Sequence, residues 1–406
     1  MGDTTTTTTT DDEDQPPTSK RHLSSSSSIS DHRPLPNIPF DIVAKILLNL
    51  PVKSLLRFKS TCKSWNEFIS DPQFAKDHLR ASASDPNPNR NRFLVTFKTL
   101  RINNESQPYL RDYPISSVLD GSEATAAPAR NKFPCLESRT KFLCGSCDGM
   151  ICMATNPSWP IVWNPSTGKF KELPPVSAAD GGLVYGFGYD HIGDGYKVVA
   201  TLDLSNIRLA ANRNDYQFDN FVYTLGTDSW RQIHGFAGLV VKDSSGKFVN
   251  GTLNWLACDA NNLAVVRVLS LDLATEQYQT LIITPVEGRP DIEVRWLRSA
   301  VLKGCLCIVA ERDMVADYFV MKEYGNAGSW NLMFRIPYAN VLPEFFSFHM
   351  APIWVSEEGD EILLAYLGML SVYSTRNGGS FKAAGIGLFR GSMLAAAYTE
   401  TLMSPS

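Results

Sequence analysis

The chain has 406 residues, and its 38 Lys and Arg against 42 Asp and Glu leave a net charge of −4 at pH 7. This length predicts two or three domains with a sizeable core, and the nearly balanced charge excludes the strong attraction that a general nucleic-acid binder needs. Aromatic residues make up 11%, and 24 Pro and 27 Gly favour turn-rich β structure.

No run of about 18 apolar residues occurs and no apolar signal segment opens the chain, so we expect neither a membrane span nor secretion. The eight Cys are too sparse for a disulfide scaffold. These features predict reduced thiols and a cytoplasmic or nuclear location, or both. Residues 1–34, with runs of Thr, Asp and Ser, are expected to form a disordered tail because they carry little apolar surface.

Two apolar stripes at helical spacing follow this tail. The members of the first are Ile42, Val43, Ile46, Leu47 and Leu50. It predicts a helix that Pro51 ends. The members of the second are Leu55, Phe58, Cys62, Trp65 and Ile69. It predicts one further amphipathic helix, and Asp71 with Pro72 predicts the start of a short third one.

The predicted helices span about 45 residues, a size at which a domain is marginal on its own. Two interpretations follow: the helices pack against the rest of the chain, or they present their apolar surface to a partner. Residues 81–92 form a polar connector with two Pro, which favours the second interpretation.

Residues 38–65 resemble an F-box, the motif through which a protein docks on the Skp-type adaptor of an SCF ubiquitin ligase. The family's usual Leu-Pro start is Ile38-Pro39 here, and Lys45 stands where the family usually has Glu. The resemblance implies an F-box helical domain over residues 35–80 and, through the adaptor, cullin and RING subunits as partners. It implies that the adaptor contacts eight residues: Pro39, Ile42, Val43, Ile46, Leu47, Leu50, Pro51 and Leu55. Trp65 is expected to pack within the motif.

From about residue 140 onward, short apolar runs alternate with turn signals. One recurrent piece is a predicted β-hairpin whose turn is followed by an aromatic residue expected to pack into a core. These aromatics are Phe170, Trp230, Tyr278, Trp330 and Phe381. Their separations of 60, 48, 52 and 51 residues match one four-stranded propeller blade.

A second recurrent piece, a strand led by Gly or Asp, precedes most hairpins and begins at Gly149, Gly251, Gly304 and Asp360. Two phased pieces per period indicate a true repeat and favour a β-propeller over a β-sandwich. The predicted propeller covers residues 136–406, after a linker with entry strands at 81–135. The number of blades stays open at this point.

The same region resembles the F-box-associated domain of plant F-box proteins, which is described as kelch-like. The segments that carry the resemblance are residues 163–167, 186–190, 196–199 and 398–405. The two resemblances together imply a multidomain α+β chain, in which a small all-α F-box is followed by an all-β kelch-like propeller.

The sequence gives little support for a metal site or a catalytic site. Five cysteines are conceivable zinc ligands: Cys144, Cys147, Cys152, Cys305 and Cys307. Structural zinc sites use four ligands in paired knuckles, so small apolar strand residues are the favoured interpretation. Asp190, His191 and His234 form a conceivable acid–base set, but no hydrolase, phosphate-binding or metalloprotease motif accompanies them. We therefore expect no catalytic residue, no metal and no cofactor.

Propellers bind ligands through loops at one end of the ring. The connections at 203–220 and 284–296 contain Arg and aromatic residues, which most often anchor protein interfaces. The candidate target-binding residues are Arg213, Tyr216, Arg289, Arg295 and Trp296. A solvated loop is the alternative for each of them.

The resemblances imply a non-catalytic substrate-recognition subunit of an SCF-type E3 ubiquitin ligase. Its F-box would hold the adaptor, and its propeller would hold a target protein, an immune receptor or another regulatory protein, for ubiquitination and degradation. The alternative is an F-box protein that sequesters or localises its target without ligase activity. A carbohydrate-binding or redox propeller is a third class. Neither nucleic acid nor a membrane is an expected partner.

Overall fold

The structure is a computed structural model of the chain. It describes residues 39–83, 91–97, 109–119, 127–128, 142–154, 159–176, 182–203, 220–286, 297–338, 350–366, 369–383 and 393–405. The predicted tail at 1–34 lies outside these ranges. Within them, no helix has both the length and the apolar character needed to cross a bilayer.

Four helices make up the N-terminal region: α1 (Phe40–Leu48), α2 (Val52–Phe58), α3 (Lys63–Ser70) and α4 (Pro72–Ala83). Pro51 separates the first two as predicted. It occupies the position just before α2, where a residue without an N–H breaks no helical hydrogen bond.

The prediction of one helix over the second apolar stripe is wrong. The stripe is divided between α2 and α3, because Cys62 adopts an extended backbone (φ −156°, ψ 164°) at the N-terminal cap of α3. Each of the two helices nevertheless buries a member of the stripe, Leu55 on α2 and Ile69 on α3. The third predicted helix, α4, has 12 residues and is longer than expected.

The rest of the described chain forms six antiparallel β-sheets, which are the blades of a propeller. Blades 1 and 2 contain β1 (Asn91–Phe97), β2 (Tyr109–Pro114), β3 (Ala127–Pro128), β4 (Phe142–Cys147), β5 (Met150–Ala154), β6 (Pro160–Trp163) and β7 (Phe170–Glu172). A short helix, α5 (Ile115–Leu119), follows β2.

Blades 3 and 4 contain β8 (Gly182–Asp190), β9 (Gly195–Asp203), β10 (Asn220–Thr224), β11 (Trp230–Ile233), β12 (Leu239–Val241), β13 (Lys247–Val249), β14 (Thr252–Asp259), β15 (Val266–Asp272) and β16 (Tyr278–Ile282). Blades 5 and 6 contain β17 (Leu297–Leu302), β18 (Cys305–Arg312), β19 (Val315–Met321), β20 (Trp330–Pro337), β21 (Ala351–Val355), β22 (Glu361–Tyr366), β23 (Met369–Ser374) and β24 (Ser380–Ala383). The small all-α region followed by an all-β propeller is confirmed, and the propeller has six blades.

The last strand, β25 (Met393–Thr399), closes the ring by joining blade 1. It pairs antiparallel with β1, so that Thr399 lies opposite Asn91. Six strands, one from each blade, contact one another in a closed cycle, which makes them the inner strands of the ring: β25, β4, β8, β13, β17 and β21. The region 81–135, expected to hold a linker and entry strands, therefore supplies the other three strands of blade 1.

The propeller has its hydrophobic cores between neighbouring blades. One cluster joins Tyr318 of blade 5 to Tyr373 of blade 6, and another joins Val199 of blade 3 to Trp255 of blade 4. Because each blade is covered on both faces, its middle strands show no alternation of polar and apolar residues. All five residues of β5 are buried, for example.

Both recurrent sequence pieces correspond to fixed places in a blade. The Gly-led or Asp-led pieces are the second strands β5, β14, β18 and β22, and the aromatic hairpins are the third and fourth strands. Trp230 and Trp330 also tie blades together, because each indole N–H donates to a backbone carbonyl of the preceding blade, that of Pro174 at 2.7 Å and that of Ile282 at 3.0 Å. Phe170 is the exception to the expected core packing, because it is exposed.

Candidate functional site

The first helix presents an apolar face to solvent. Ile42 and Ile46 are 50% and 51% exposed, and their spacing of four residues puts them on one side of α1. Phe40, which sequence reasoning missed, is exposed as well. Large apolar side chains left in water favour burial against a partner, since each such side chain gains about 1.5–3 kcal/mol when it is fully covered.

The other predicted adaptor-binding residues differ in exposure. Four of them reach the surface: Pro39 and Pro51 are exposed, and Val43 and Leu50 are half-buried. Leu47 and Leu55 are only 1% and 0% exposed. In this conformation these two leucines support the helices from inside and offer no surface to a partner.

A small core holds this helical region in shape. Trp65 packs within it, edge to face on Phe58, with the ring centroids 5.3 Å apart. His78 of α4 is buried, and its Nε2 lies 2.9 Å from the carbonyl oxygen of Leu50, in the turn between α1 and α2. This contact fixes α4 to the loop between α1 and α2.

The two ends of the propeller differ in their connections. The turns between first and second strands lie at what we call the turn end, and they are at 148–149, 191–194, 250–251, 303–304 and 356–360. Neighbouring blades touch there: Tyr196 Oη donates to Asp148 at 2.9 Å, and Lys197 Nζ donates to the Leu273 carbonyl at 2.6 Å. The opposite end, which we call the connection end, is where the chain leaves one blade for the next.

The five candidate target-binding residues lie outside the described residues: Arg213, Tyr216, Arg289, Arg295 and Trp296. The described strands that flank them are informative. β9 runs from the turn end to Asp203, and β17 begins at Leu297 and runs towards the turn end. Both strand ends therefore lie at the connection end.

Among the exposed apolar residues at the connection end, two that were not predicted lie outside the strands. Trp159 precedes β6, and Leu263 lies between β14 and β15. The loop of Leu263 is braced by Asp259 Oδ1, which accepts hydrogen bonds from the backbone N–H of Asn261 at 2.8 Å and of Asn262 at 3.1 Å. The feature of the sequence that could have revealed such a residue is a large apolar side chain between turn-forming neighbours. Tryptophan is one of the residues most often found as an anchor of protein contacts, which makes Trp159 the stronger of the two candidates.

The cysteines predicted as conceivable zinc ligands are distributed over two blades. Cys144 and Cys152 lie on the adjacent strands β4 and β5, and their thiols are hydrogen-bonded to each other. Burial raises the pKa of Cys144, Cys147 and Cys307, so these thiols stay protonated at neutral pH. In the part of the chain that the structure describes, no three His, Cys, Asp or Glu side chains converge as metal ligands.

The conceivable acid–base set is not assembled. Asp190 ends β8 at the turn end and is paired with Lys197 at 2.9 Å, whereas His234 follows β11 at the connection end. His191 packs edge to face against Tyr189, with the ring centroids 5.0 Å apart. Asp190 holds its turn by accepting hydrogen bonds from the backbone N–H groups of Ile192 and Gly193, and the three residues do not form a common site.

Comparison with protein families agrees with this architecture. Residues 35–77 match the F-box domain, and residues 106–319 match the F-box associated beta propeller domain. The helical region with its exposed face and the six-bladed ring thus define an F-box protein with a propeller interaction domain. The chain belongs to the family of F-box proteins that carry an F-box associated β-propeller.

Curated relatives come from Arabidopsis thaliana and are similar over most of their length. An F-box/kelch-repeat protein is 30% identical over 382 residues, which cover 91% of this chain and 96% of that protein. The F-box protein CPR1 is 26% identical over 81% of this chain and 80% of its own length. A third F-box protein is 28% identical, with coverage of 86% and 87%.

Proposed function

We propose that this chain is the substrate-recognition subunit of an SCF-type E3 ubiquitin ligase. Its F-box docks on the Skp-type adaptor, which links it to cullin and RING subunits. Its propeller binds a target protein, which is ubiquitinated and degraded by the proteasome. The observation that carries this proposal is the exposed pair Ile42 and Ile46 on the first helix of an F-box.

The chain contributes proximity and no bond chemistry in this proposal. Holding a target beside a charged conjugating enzyme turns a bimolecular encounter into a local one, which raises the effective concentration of the target lysines. The connection end is the proposed target face, because Trp159 and Leu263 are exposed there. We propose the cytoplasm, the nucleus or both as its location, which fits seven described cysteines that are all free thiols. The target class, an immune receptor or another regulatory protein, stays a prediction.

The docking half is tested with a double variant, Ile42→Asp with Ile46→Asp. Both side chains are half in solvent, so the substitutions should leave the fold intact while placing two carboxylates in the adaptor interface. We expect adaptor pull-down by the full chain to be lost. Leu332→Asp, an equally exposed apolar residue on β20, is the matched control and should bind as the unmodified chain does. Undiminished pull-down by the double variant would refute the proposal.

The sequestering alternative is separated by the fate of the targets. Proximity labelling with the full chain, with and without proteasome inhibition, identifies proteins that are labelled only when degradation is blocked. The abundance of these proteins is then followed in cells that carry the Ile42→Asp, Ile46→Asp variant. A substrate receptor predicts that they accumulate. A protein that only sequesters or localises its target predicts no change.

A further inference from the structure

The last helix of the F-box is joined to a turn of the propeller by an ion pair. Lys76, on α4, donates through Nζ to both carboxylate oxygens of Asp194, to Oδ1 at 2.7 Å and to Oδ2 at 2.5 Å. Asp194 is the last residue of the turn between β8 and β9, so the pair joins residues 118 positions apart. Both residues belong to the compact unit that residues 45–406 form. The pair therefore connects the helical region directly to blade 3.

The carboxylate of Asp194 is also held from the propeller side. The Tyr189 hydroxyl on β8 donates to its Oδ1. The backbone of Asp194 has φ +51°, a conformation that aspartate adopts more readily than most other residues with a side chain. The hydrogen bonds from Lys76 and Tyr189 lower the pKa of Asp194, so the carboxyl is ionised at neutral pH. Asp194 is thus a fixed negative charge beside α4.

The turn that carries Asp194 is braced against both neighbouring blades. Asp190, which precedes the turn, pairs with Lys197 at 2.9 Å, and both of these side chains are buried. Lys197 also donates to the Leu273 carbonyl of blade 4, and Tyr196 beside it donates to Asp148 of blade 2. A movement of the turn would have to break these contacts. The ion pair therefore attaches α4 to a rigid part of the ring.

The value of this ion pair lies in orientation. A partly exposed pair adds little to the stability of a folded chain, because both charges keep part of their hydration. Its effect is larger where the covalent connection leaves the arrangement of two parts open. The connector at 81–92 is polar in sequence and offers little apolar surface with which to fix the helical region.

We propose that Asp194 is a positioning residue that holds α4 through Lys76 and so fixes the direction in which the F-box presents the propeller. The proposal rests on the function proposed above, because direction matters when an adaptor-bound F-box carries a target towards a conjugating enzyme. The ion pair lies at the turn end, whereas the proposed target face is the connection end. Proximity raises the rate of transfer only while the target lysines stay within reach, and a fixed joint keeps them there.

The first test measures the joint in the full chain, without any partner. One spin label is attached to Cys62, which is exposed, whereas the other described cysteines are buried or half-buried. A second label is attached to the cysteine that Leu332→Cys introduces at an exposed site on β20, in a chain that also carries Cys135→Ser. Pulsed electron spin resonance gives the distribution of distances between the labels. We expect one narrow distribution, and a broad one would overturn the proposal.

Reversal of the charge at position 194 should loosen the joint. Asp194→Arg places a third positive charge beside Lys76 and Arg80, so the fraction of chains at the original distance should fall about threefold or more. The backbone should accept the change, because Lys303 has φ +49° in the corresponding turn of blade 5. Lys76→Glu added to Asp194→Arg reverses the pair and should restore the narrow distribution.

A matched control separates the ion pair from a general effect of charge. Asp313→Arg makes the same change at an exposed aspartate with φ +47°, at the connection end, and should leave the distances unchanged. An unchanged distribution in Asp194→Arg would overturn the proposal. So would a broad distribution that the reversed pair does not narrow.

The second test measures the consequence in a ligase reconstituted from the full chain, a Skp-type adaptor, cullin and RING subunits and a conjugating enzyme. The chain's own lysines, apart from position 76, serve as acceptors, and mass spectrometry identifies those that carry ubiquitin. A fixed joint predicts a restricted set of modified lysines. The set should widen in Asp194→Arg and become restricted again in the reversed pair.

The two tests fail in different ways. If the unmodified chain accepts no ubiquitin in this assembly, the proposed function fails and the positioning role with it, while the distances still show whether Asp194 fixes the joint. If Asp194→Arg broadens the distances but leaves the modified lysines unchanged, the proposed function stands and the positioning role is overturned.

Discussion

Asn164 and Met403 are 239 positions apart in the chain, yet the Asn164 Nδ2 donates a hydrogen bond to the Met403 carbonyl oxygen at 2.7 Å. The same amide group donates to the Thr401 carbonyl at 3.0 Å. Asn164 belongs to the third turn of blade 2, whereas the residues it holds follow the inner strand of blade 1. These hydrogen bonds therefore tie the segment after β25 to blade 2 and close the ring a second time, in addition to the pairing of β25 with β1.

Removal of these hydrogen bonds should destabilise the propeller. Asn164→Ala deletes these two hydrogen bonds at a fully buried site, and with them the two that Asn164 Oδ1 accepts from the backbone N–H groups of Ser166 and Thr167. The loss should cost about 2–4 kcal/mol. The free energy of unfolding in urea measures the loss. Asn331→Ala is the control, because that exposed amide makes one bond to the Ser329 carbonyl and should change stability by less than about 0.5 kcal/mol. Equal losses in both variants would contradict the assignment.

Gly149 should tolerate no side chain for two separate reasons. Its φ is +75°, and a Cβ there would overlap the Thr399 carbonyl oxygen and the Thr401 Cγ2. Gly226 has φ +98° but open space around it, so Gly226→Ala isolates the backbone strain at about 1–2 kcal/mol. Gly149→Ala should lose about 1–3 kcal/mol more. Thermal unfolding of the two variants side by side checks the difference.

Local features of this fold are readable from the sequence because they depend on neighbours in the chain. Pro51 stops α1 from continuing into α2 because proline has no N–H for an interior helical hydrogen bond, and a Gly-led or Asp-led strand followed by an aromatic hairpin recurs in four of the blades. The division of the second stripe was missed because its apolar spacing continues across the break at Cys62. Burial of Leu47 and Leu55 was missed for a related reason, since the spacing of an apolar stripe does not say which of its members face inward.

Contacts between distant parts of the chain could not be read in this way. The pairing of β25 with β1 joins residues about 300 positions apart, and no local pattern marks Arg92 and Asp112 as parts of that closure. The candidate target-binding residues stay predictions, because they lie outside the described residues. The described ends of the flanking strands, Asp203 of β9 and Leu297 of β17, both lie at the connection end.

The ring closure contains an ion pair whose loss should be costly. Arg92 on β1 donates through Nε to Asp112 Oδ1 at 2.9 Å, and the Tyr398 hydroxyl on β25 donates to the same oxygen at 2.9 Å. Asp112→Ala leaves the guanidinium, which is largely out of water, with only the more distant Glu400 carboxylate at 3.6 Å, and this costs up to about 3–5 kcal/mol. Tyr398→Phe removes one hydrogen bond and should cost about 1 kcal/mol. Urea unfolding should rank the two in that order, and the reverse order would refute this account.

Thiol labelling should distinguish Cys62 from the buried cysteines. Hydrogen bonds from Ser64 and from the Trp65 backbone lower the pKa of the exposed Cys62, whereas burial raises the pKa of Cys144, Cys147 and Cys307. Thiolate is the reactive form, so a maleimide at neutral pH should modify Cys62 well before those three. Peptide mapping by mass spectrometry over time gives the order. Faster labelling of Cys144 or Cys307 would show that the blade cores open readily.

The carboxyl of Glu311 makes the stability of the propeller depend on pH. It is buried near the junction of blades 5 and 6, where its Oε1 accepts a hydrogen bond from the Met350 backbone N–H at 3.1 Å. Burial raises its pKa to about 7, and the Met350 amide and Arg298 offset part of that rise. Tyr318 and Tyr338 are the other titratable groups that face it.

Glu311 binds its proton more tightly in the folded chain than in the unfolded chain, and this decides the direction in which stability changes with pH. The unfolded pKa of Glu is about 4.3, so between that value and about 7 the folded chain binds the proton that the unfolded chain has released. The stabilisation is complete below about pH 4.3 and is lost as the pH rises through about 7, a change of about 3–4 kcal/mol. Glu311→Gln carries no charge here at any pH, so this variant should keep the stability that the unmodified chain loses as the pH rises. Urea unfolding at pH 5, 6, 7 and 8 should therefore show the unmodified chain falling progressively below this variant, while the exposed Glu357→Gln follows the unmodified chain. A constant difference between Glu311→Gln and the unmodified chain across these pH values would contradict the assignment of a raised pKa.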